Sequence, residues 1–108
     1  MHHLRIKEIS KFIKEIRETT DIDREKELVN RKMNKIRTKF EKNSKNADNK
    51  KYMWMLAYAK ITGYRIDFGY KQIGDLIDSD KYSEKYTGYI TTSVLVEEEQ
   101  KDVYYNYA

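Results

Sequence analysis

The chain has no cysteine and no proline, and its 108 residues include only four glycines and two histidines. Without cysteine there can be no disulfide, thiolate metal site or cysteine nucleophile. The scarcity of proline and glycine removes the strongest breakers of regular structure and favours helix throughout. Both histidines, His2 and His3, sit at the extreme amino end, where chains fray, so they read as tail and not as catalytic or metal-binding groups. Long apolar runs are also missing. The most apolar window, Met53 to Ala59, is seven residues long, against about 20 needed to cross a bilayer. The start, MHHLRIKEIS, holds no signal-peptide core. A soluble, intracellular protein is expected.

The few glycines also exclude chemistry. Gly69 and Gly74 are too far apart, with the wrong neighbours, to cradle a phosphate, and no nucleophile elbow or metal-ligand spacing occurs. The carboxylate pair Asp78 and Asp80 has the ordinary reading of a capping loop. A non-enzymatic chain without metal or cofactor is expected.

What is present is charge, tyrosine and helical periodicity. Lys and Arg number 22 against 18 Asp and Glu, a formal net charge of +4. Hydrophobic residues make up 39% and aromatics 13%, ten of them tyrosine. That is enough apolar material for one modest core, and it argues against disorder.

Ile6, Ile9, Phe12, Ile13 and Ile16 recur at helical spacing and predict a first helix ending near Glu18. Thr19, Thr20 and Asp21 are cap candidates for a second, whose stripe is Ile22, Val29, Met33, Ile36 and Phe40. A polar loop follows over 41–49, and Asp48 is the candidate cap of a third helix running to about Thr62. That helix is apolar nearly all round, through Tyr52, Met53, Trp54, Met55, Leu56, Tyr58 and Ile61. It should be buried between neighbours, with Trp54 and Tyr58 in the core. Gly63 is placed to end it in the left-handed conformation.

A fourth helix fits Phe68 to Asp78, capped by Asp67 and turning Ile73, Leu76 and Ile77 inward. A fifth fits Ser83 with Tyr86 to Val96, although Thr91, Thr92, Val94 and Val96 carry strand propensity. Glu97-Glu98-Glu99 reads as a turn or helix start, and a short sixth helix would carry Val103, Tyr104 and Tyr107. About six antiparallel helices form an all-α bundle or a stack of hairpins. The aromatic finish, Tyr104 to Ala108, lacks the polar capping helix that a solenoid needs.

Basic residues collect around one loop and the two helix ends it joins: Lys35, Arg37, Lys39, Lys42, Lys45, Lys50 and Lys51. A lysine-rich solvated loop would have this composition. So would an anion site in which lysines act as point charges on phosphate and Tyr52 adds a hydroxyl donor. Nucleic acid uses the same charge, but no exposed stacking aromatics or recognition helix can be identified beside it.

Taken in order, Phe12-Ile13-Lys14-Glu15-Ile16-Arg17, Ile36-Arg37-Thr38-Lys39-Phe40, Lys50-Lys51-Tyr52 and GYRIDFG (Gly63 to Gly69) resemble the N-terminal trunk of the large adaptins. These are the large chains of clathrin-associated adaptor complexes. DKYSEKYTGYITTSVLV (Asp80 to Val96) and the eighteen residues between Ile16-Arg17 and Ile36-Arg37 also fit the family pattern. The likeness covers about Leu4 to Val103. IDFG and SVLV are most similar to alpha-adaptin of the plasma-membrane endocytic complex. LRIKEI and EEEQKDV are more similar to gamma-adaptin of the trans-Golgi complex, and the balance favours alpha.

The resemblance implies an α-solenoid of antiparallel helical hairpins, of the HEAT or armadillo kind, with residues 1–108 as one N-terminal piece of a longer trunk. It implies a place in vesicle-mediated transport, at clathrin-coated pits of the plasma membrane for an alpha chain. The implied partners are a small sigma subunit, other adaptor subunits, dileucine sorting signals and phosphoinositide-containing membrane, and not nucleic acid. Lys39, Lys50, Lys51 and Tyr52 match the family's phosphoinositide-binding pattern, with Lys42 and Lys45 as compensating cations. Asn49, Met55 and Glu41 stand where alpha chains carry lysine. Arg17 matches the arginine that holds the acidic residue of dileucine signals at the sigma boundary. From its residues alone, Arg17 is also a helix-end cation favoured by the helix dipole.

Overall fold

A computed structural model describes residues 2–96, with side chains described from residue 7 onward, and it contains five helices and no strand among them. They are α1 (His2–Glu18), α2 (Ile22–Glu41), α3 (Asn46–Ile61), α4 (Tyr70–Ile77) and α5 (Tyr82–Leu95). The expected sixth helix, the Glu97–Glu99 turn and the aromatic finish lie outside the described residues.

The direction of each helix follows from its contacts. Lys51 on α3 meets Glu8 on α1, and Tyr58 meets Phe12 edge-on with ring centroids 6.3 Å apart. The two helices therefore rise together. Lys50 near the start of α3 reaches Ser83 near the start of α5 at 3.0 Å, so α5 follows the same sense. α2 runs the other way: its end, Phe40, packs on Tyr52 early in α3, while Glu25 at its start bonds Tyr64 just beyond α3. Neighbours in sequence are antiparallel and alternate helices are parallel. Odd-numbered helices share a layer, α1 against α3 and α3 against α5, with α2 lying on α3 and α4 on α5. This is the stacking of an α-solenoid of hairpins.

The core is built from the expected stripes. Phe12 and Ile16 of α1, Val29, Met33, Ile36 and Phe40 of α2, and Ile73, Leu76 and Ile77 of α4 are all buried. Asp21 caps α2, its carboxylate accepting from the Asp23 amide at 2.9 Å. Thr91 and Thr92 are buried in α5 and remain helical because their hydroxyls donate to the Thr87 and Gly88 carbonyls one turn back, at 2.7 and 2.6 Å.

Several expectations need correction. Ile22 is 59% exposed, because the buried stripe of α2 begins two turns later at Val29. Ile61, at the last position of α3, is 70% exposed. Trp54 is partly buried and lies outside the core cluster, whereas Tyr58 packs against it. Asp48 does not cap α3, which starts at Asn46 after an uncapped Lys45. The chain turns earlier than Asp48 because buried Asn49 pins the loop, its amide donating to the Ser44 carbonyl while the Ser44 hydroxyl donates back. Asp67 does not cap α4 either. The helix starts at Tyr70 behind Gly69, and Asp67 lies 3.6 Å from Arg37.

GYRIDFG is a structural latch between α2, α3 and α4. Gly63 leaves α3 with φ 111°, as expected for a left-handed stop. Ile66 is buried, and Phe68 packs on Phe40 with the Arg37 guanidinium 4.2 Å from its ring centre. Gly69 has φ 98°, and a β-carbon there would meet Met53 Cε at 2.9 Å and Leu56 Cδ1 at 3.1 Å. Only glycine satisfies both the backbone angle and the space.

Candidate anion-binding groove

Helix geometry places residues three or four apart on one face. Lys32, Lys35 and Lys39 form such a row on α2, beside its buried stripe. On α1, Glu8, Lys11 and Glu15 form another, and on α3, Lys51, Tyr52 and Met55 complete the set. These rows converge on a groove of about 360 Å³ between α1, α2 and α3. Lys11, Lys32, Lys35, Lys39 and Lys51 line it with Glu8 and Tyr52, over an apolar floor of Phe12, Ile36 and Met55.

Five ammonium groups thus face a single lining carboxylate. Glu15, at the edge, stands 3.8 Å from Lys32 and 3.9 Å from Lys11. Glu8 holds the Lys51 ammonium at 2.6 Å, and that ammonium also lies 4.7 Å from the centre of the Tyr52 ring. Among the described residues, no carboxylate pairs with Lys35 or Lys39. An apolar floor weakens solvent screening, so each remaining charge acts more strongly than it would on open surface. The volume suits a small polar ligand. Chemically, the groove can take an anion with several oxygens.

Of the residues expected from sequence, Lys35, Lys39, Lys51 and Tyr52 are brought together here. Lys50 is not: one residue along a helix is a turn of about 100°, and its ammonium donates to Ser83 on α5. Lys42 and Lys45 project, exposed, from the loop after α2 and do not line the groove. Arg37 is engaged with Asp67 and Phe68. Lys11 and Lys32 were missed, although the spacing of Lys32, Lys35 and Lys39 was a signal for them. Arg17 is exposed in the last turn of α1, about 9 Å along the axis from Lys11. A second opening, at the α1–α2 turn, mixes Glu15, Glu18, Asp21 and Glu27 with Arg24 and Arg31. Its four carboxylates outnumber the two guanidinium groups, so it selects for no anion.

Met55 forms the floor of the groove and Asn49 fixes the loop that precedes α3. Among the described residues, no group of His, Cys, Asp or Glu could hold a metal.

The chain is 39% identical over 93 residues to AP-2 complex subunit alpha-1 of Arabidopsis thaliana, covering 83% of this chain and 9% of that relative. In sequence, the chain belongs to the alpha-adaptins. AP-2 complex subunit alpha-2 of Dictyostelium discoideum is 34% identical over 96 residues. AP-2 complex subunit alpha of Schizosaccharomyces pombe is 38% identical over 94 residues. The stretches aligned cover 86% of this chain in both cases, and 10% and 11% of the relatives. No family model matches the chain. This alpha-adaptin sequence therefore spans about a tenth of the length of the curated relatives it matches. These likenesses favour the alpha type over the gamma type that LRIKEI and EEEQKDV suggested.

Proposed function

We propose that this alpha-adaptin chain is the N-terminal part of a clathrin adaptor large subunit, non-enzymatic, which attaches to phosphoinositide-containing membrane through the groove between α1, α2 and α3. The observation that carries the reading is the convergence of Lys11, Lys32, Lys35, Lys39 and Lys51 from three helices onto one concave surface. Each lysine held near an anionic leaflet contributes about 1 kcal/mol. A few such contacts give weak attachment, so further adaptor subunits would have to add their own. No helix among the described residues is long and apolar enough to cross a membrane, and attachment of this kind is peripheral.

In the same reading Lys42, Lys45 and Lys50 meet surrounding lipid outside the groove, and the complex works at coated pits of the plasma membrane. Arg17, exposed at the end of α1, contacts the small sigma subunit and the acidic residue of dileucine cargo signals. That position lies away from the groove, which lets cargo and lipid be held together.

Vesicle flotation tests the lipid reading. Wild-type chain should float with phosphatidylcholine vesicles containing a bisphosphorylated phosphoinositide, and less with phosphatidylserine at matched charge. Lys35→Glu with Lys39→Glu should abolish the preference. If that variant floats as wild type does, the groove is not the membrane site. Tight binding to duplex DNA, falling steeply with salt and without lipid selectivity, would replace the reading with nucleic-acid binding.

A further inference from the structure

The groove contains a carboxylate of its own, and its position is informative. The Lys51 side chain is only 10% exposed, so its ammonium has lost most of its water and needs a counter-charge. Glu8 supplies it at 2.6 Å from a side chain that is itself 56% exposed. The most buried cation of the groove is therefore covered by a carboxylate that can swing into solvent, while among the described residues no carboxylate holds Lys35 or Lys39. A phosphate oxygen seeking Lys51 needs the place that the Glu8 carboxylate occupies.

Resting on the groove reading above, we propose that Glu8 is a built-in competitor for phosphate, displaced from Lys51 when a ligand with several phosphates fills the groove. A single phosphate is satisfied at Lys35 and Lys39, on the α2 wall, without disturbing Glu8. A ligand with phosphates spaced across the groove reaches both walls and must evict the carboxylate. Glu8 thereby lowers the affinity for polyphosphates and keeps the buried ammonium paired when no ligand is bound. Lys51 is the residue over which the two anions compete.

The test is Glu8→Gln, which keeps the side chain's size and removes its charge. Affinity for soluble inositol trisphosphate, measured by titration calorimetry, should rise roughly three- to tenfold, the range for one partly screened ion pair. Affinity for inorganic phosphate should change much less. Vesicles carrying a bisphosphorylated phosphoinositide form the second arm. A gain in either arm supports the proposal, and the arm in which it occurs tells whether the ligand is free or membrane-bound. Glu18→Gln, which removes the same charge outside the groove, should give no gain; an equal gain there would show a net-charge effect and overturn the proposal. Should Glu8→Gln fail to fold, Glu8→Asp, whose shorter arm reaches Lys51 less well, should show a smaller gain in the same direction. Unchanged or weaker binding in a folded Glu8 variant overturns the competitor, while wild-type binding that Lys35→Glu with Lys39→Glu removes leaves the groove standing. No binding by wild type or variant overturns the groove itself.

Discussion

The Tyr64 hydroxyl donates to the Glu25 carboxylate at 2.5 Å, tying the segment after α3 to the first turn of α2 across 39 residues of sequence. Burial of the phenol, and then its bond to the Glu25 carboxylate and that group's negative charge, push its pKa from 10.0 up to about 12. The folded state therefore favours the protonated phenol. Its stabilising effect is complete below pH 10 and is lost as pH rises from about 10 to about 12.

Ultraviolet titration of tyrosinate should show a late-ionising phenol in wild type that is missing in Tyr64→Phe. Urea midpoints for the two proteins should converge as pH climbs through that window, with wild type the more stable below it. Equal stability at neutral pH would mean that the Tyr64–Glu25 link contributes nothing.

Gly88 on α5 sits where a β-carbon would stand 2.8 Å from Ile77 Cγ1 and 2.9 Å from the Ile77 backbone nitrogen. Alanine is the better helix former by about 1 kcal/mol, yet the backbone of α4 cannot yield to it. Gly88→Ala should destabilise the chain by about 1–3 kcal/mol, as overpacking does. Chemical denaturation measures this directly, and a stabilised variant would show that α4 and α5 are not this close.

Adjacent lysines should behave differently. Lys51 lines the groove while Lys50 bonds Ser83. Lys35→Glu together with Lys39→Glu should weaken vesicle binding by roughly thirtyfold or more, about 1 kcal/mol or more for each reversed charge. Lys50→Glu alone should cost a few-fold at most. Quantitative flotation against lipid concentration separates the two, and equal losses would point to diffuse charge attraction.

Much of the fold was legible because α1 and α2 have strict apolar periods, and Val29, Met33, Ile36 and Phe40 all turn inward. Helix starts were harder. Lys45 precedes α3 without a side-chain cap and Gly69 precedes α4 in the left-handed conformation, so neither carries the polar cap that marks a start in sequence. The site was half legible for a related reason. Grouping cations by nearness to one loop found Lys35, Lys39 and Lys51 and added Arg37, Lys42, Lys45 and Lys50, which do not line the groove. Lys11 is distant in sequence, and Lys32 lies two turns before Lys39. Both join the groove only through packing of α1 against α3 and the helical spacing along α2. GYRIDFG, so telling for kinship, proved to be a latch for the chain and not a part of the groove.

The most direct test is nuclear magnetic resonance of the lysine ammonium and backbone amide groups during titration with soluble inositol trisphosphate. Shifts should concentrate at Lys11, Lys32, Lys35, Lys39, Lys51 and Tyr52, with Glu8 moving as Lys51 changes partner. Shifts confined to Lys42, Lys45 and Lys50, or spread evenly over all the lysines, would contradict the account.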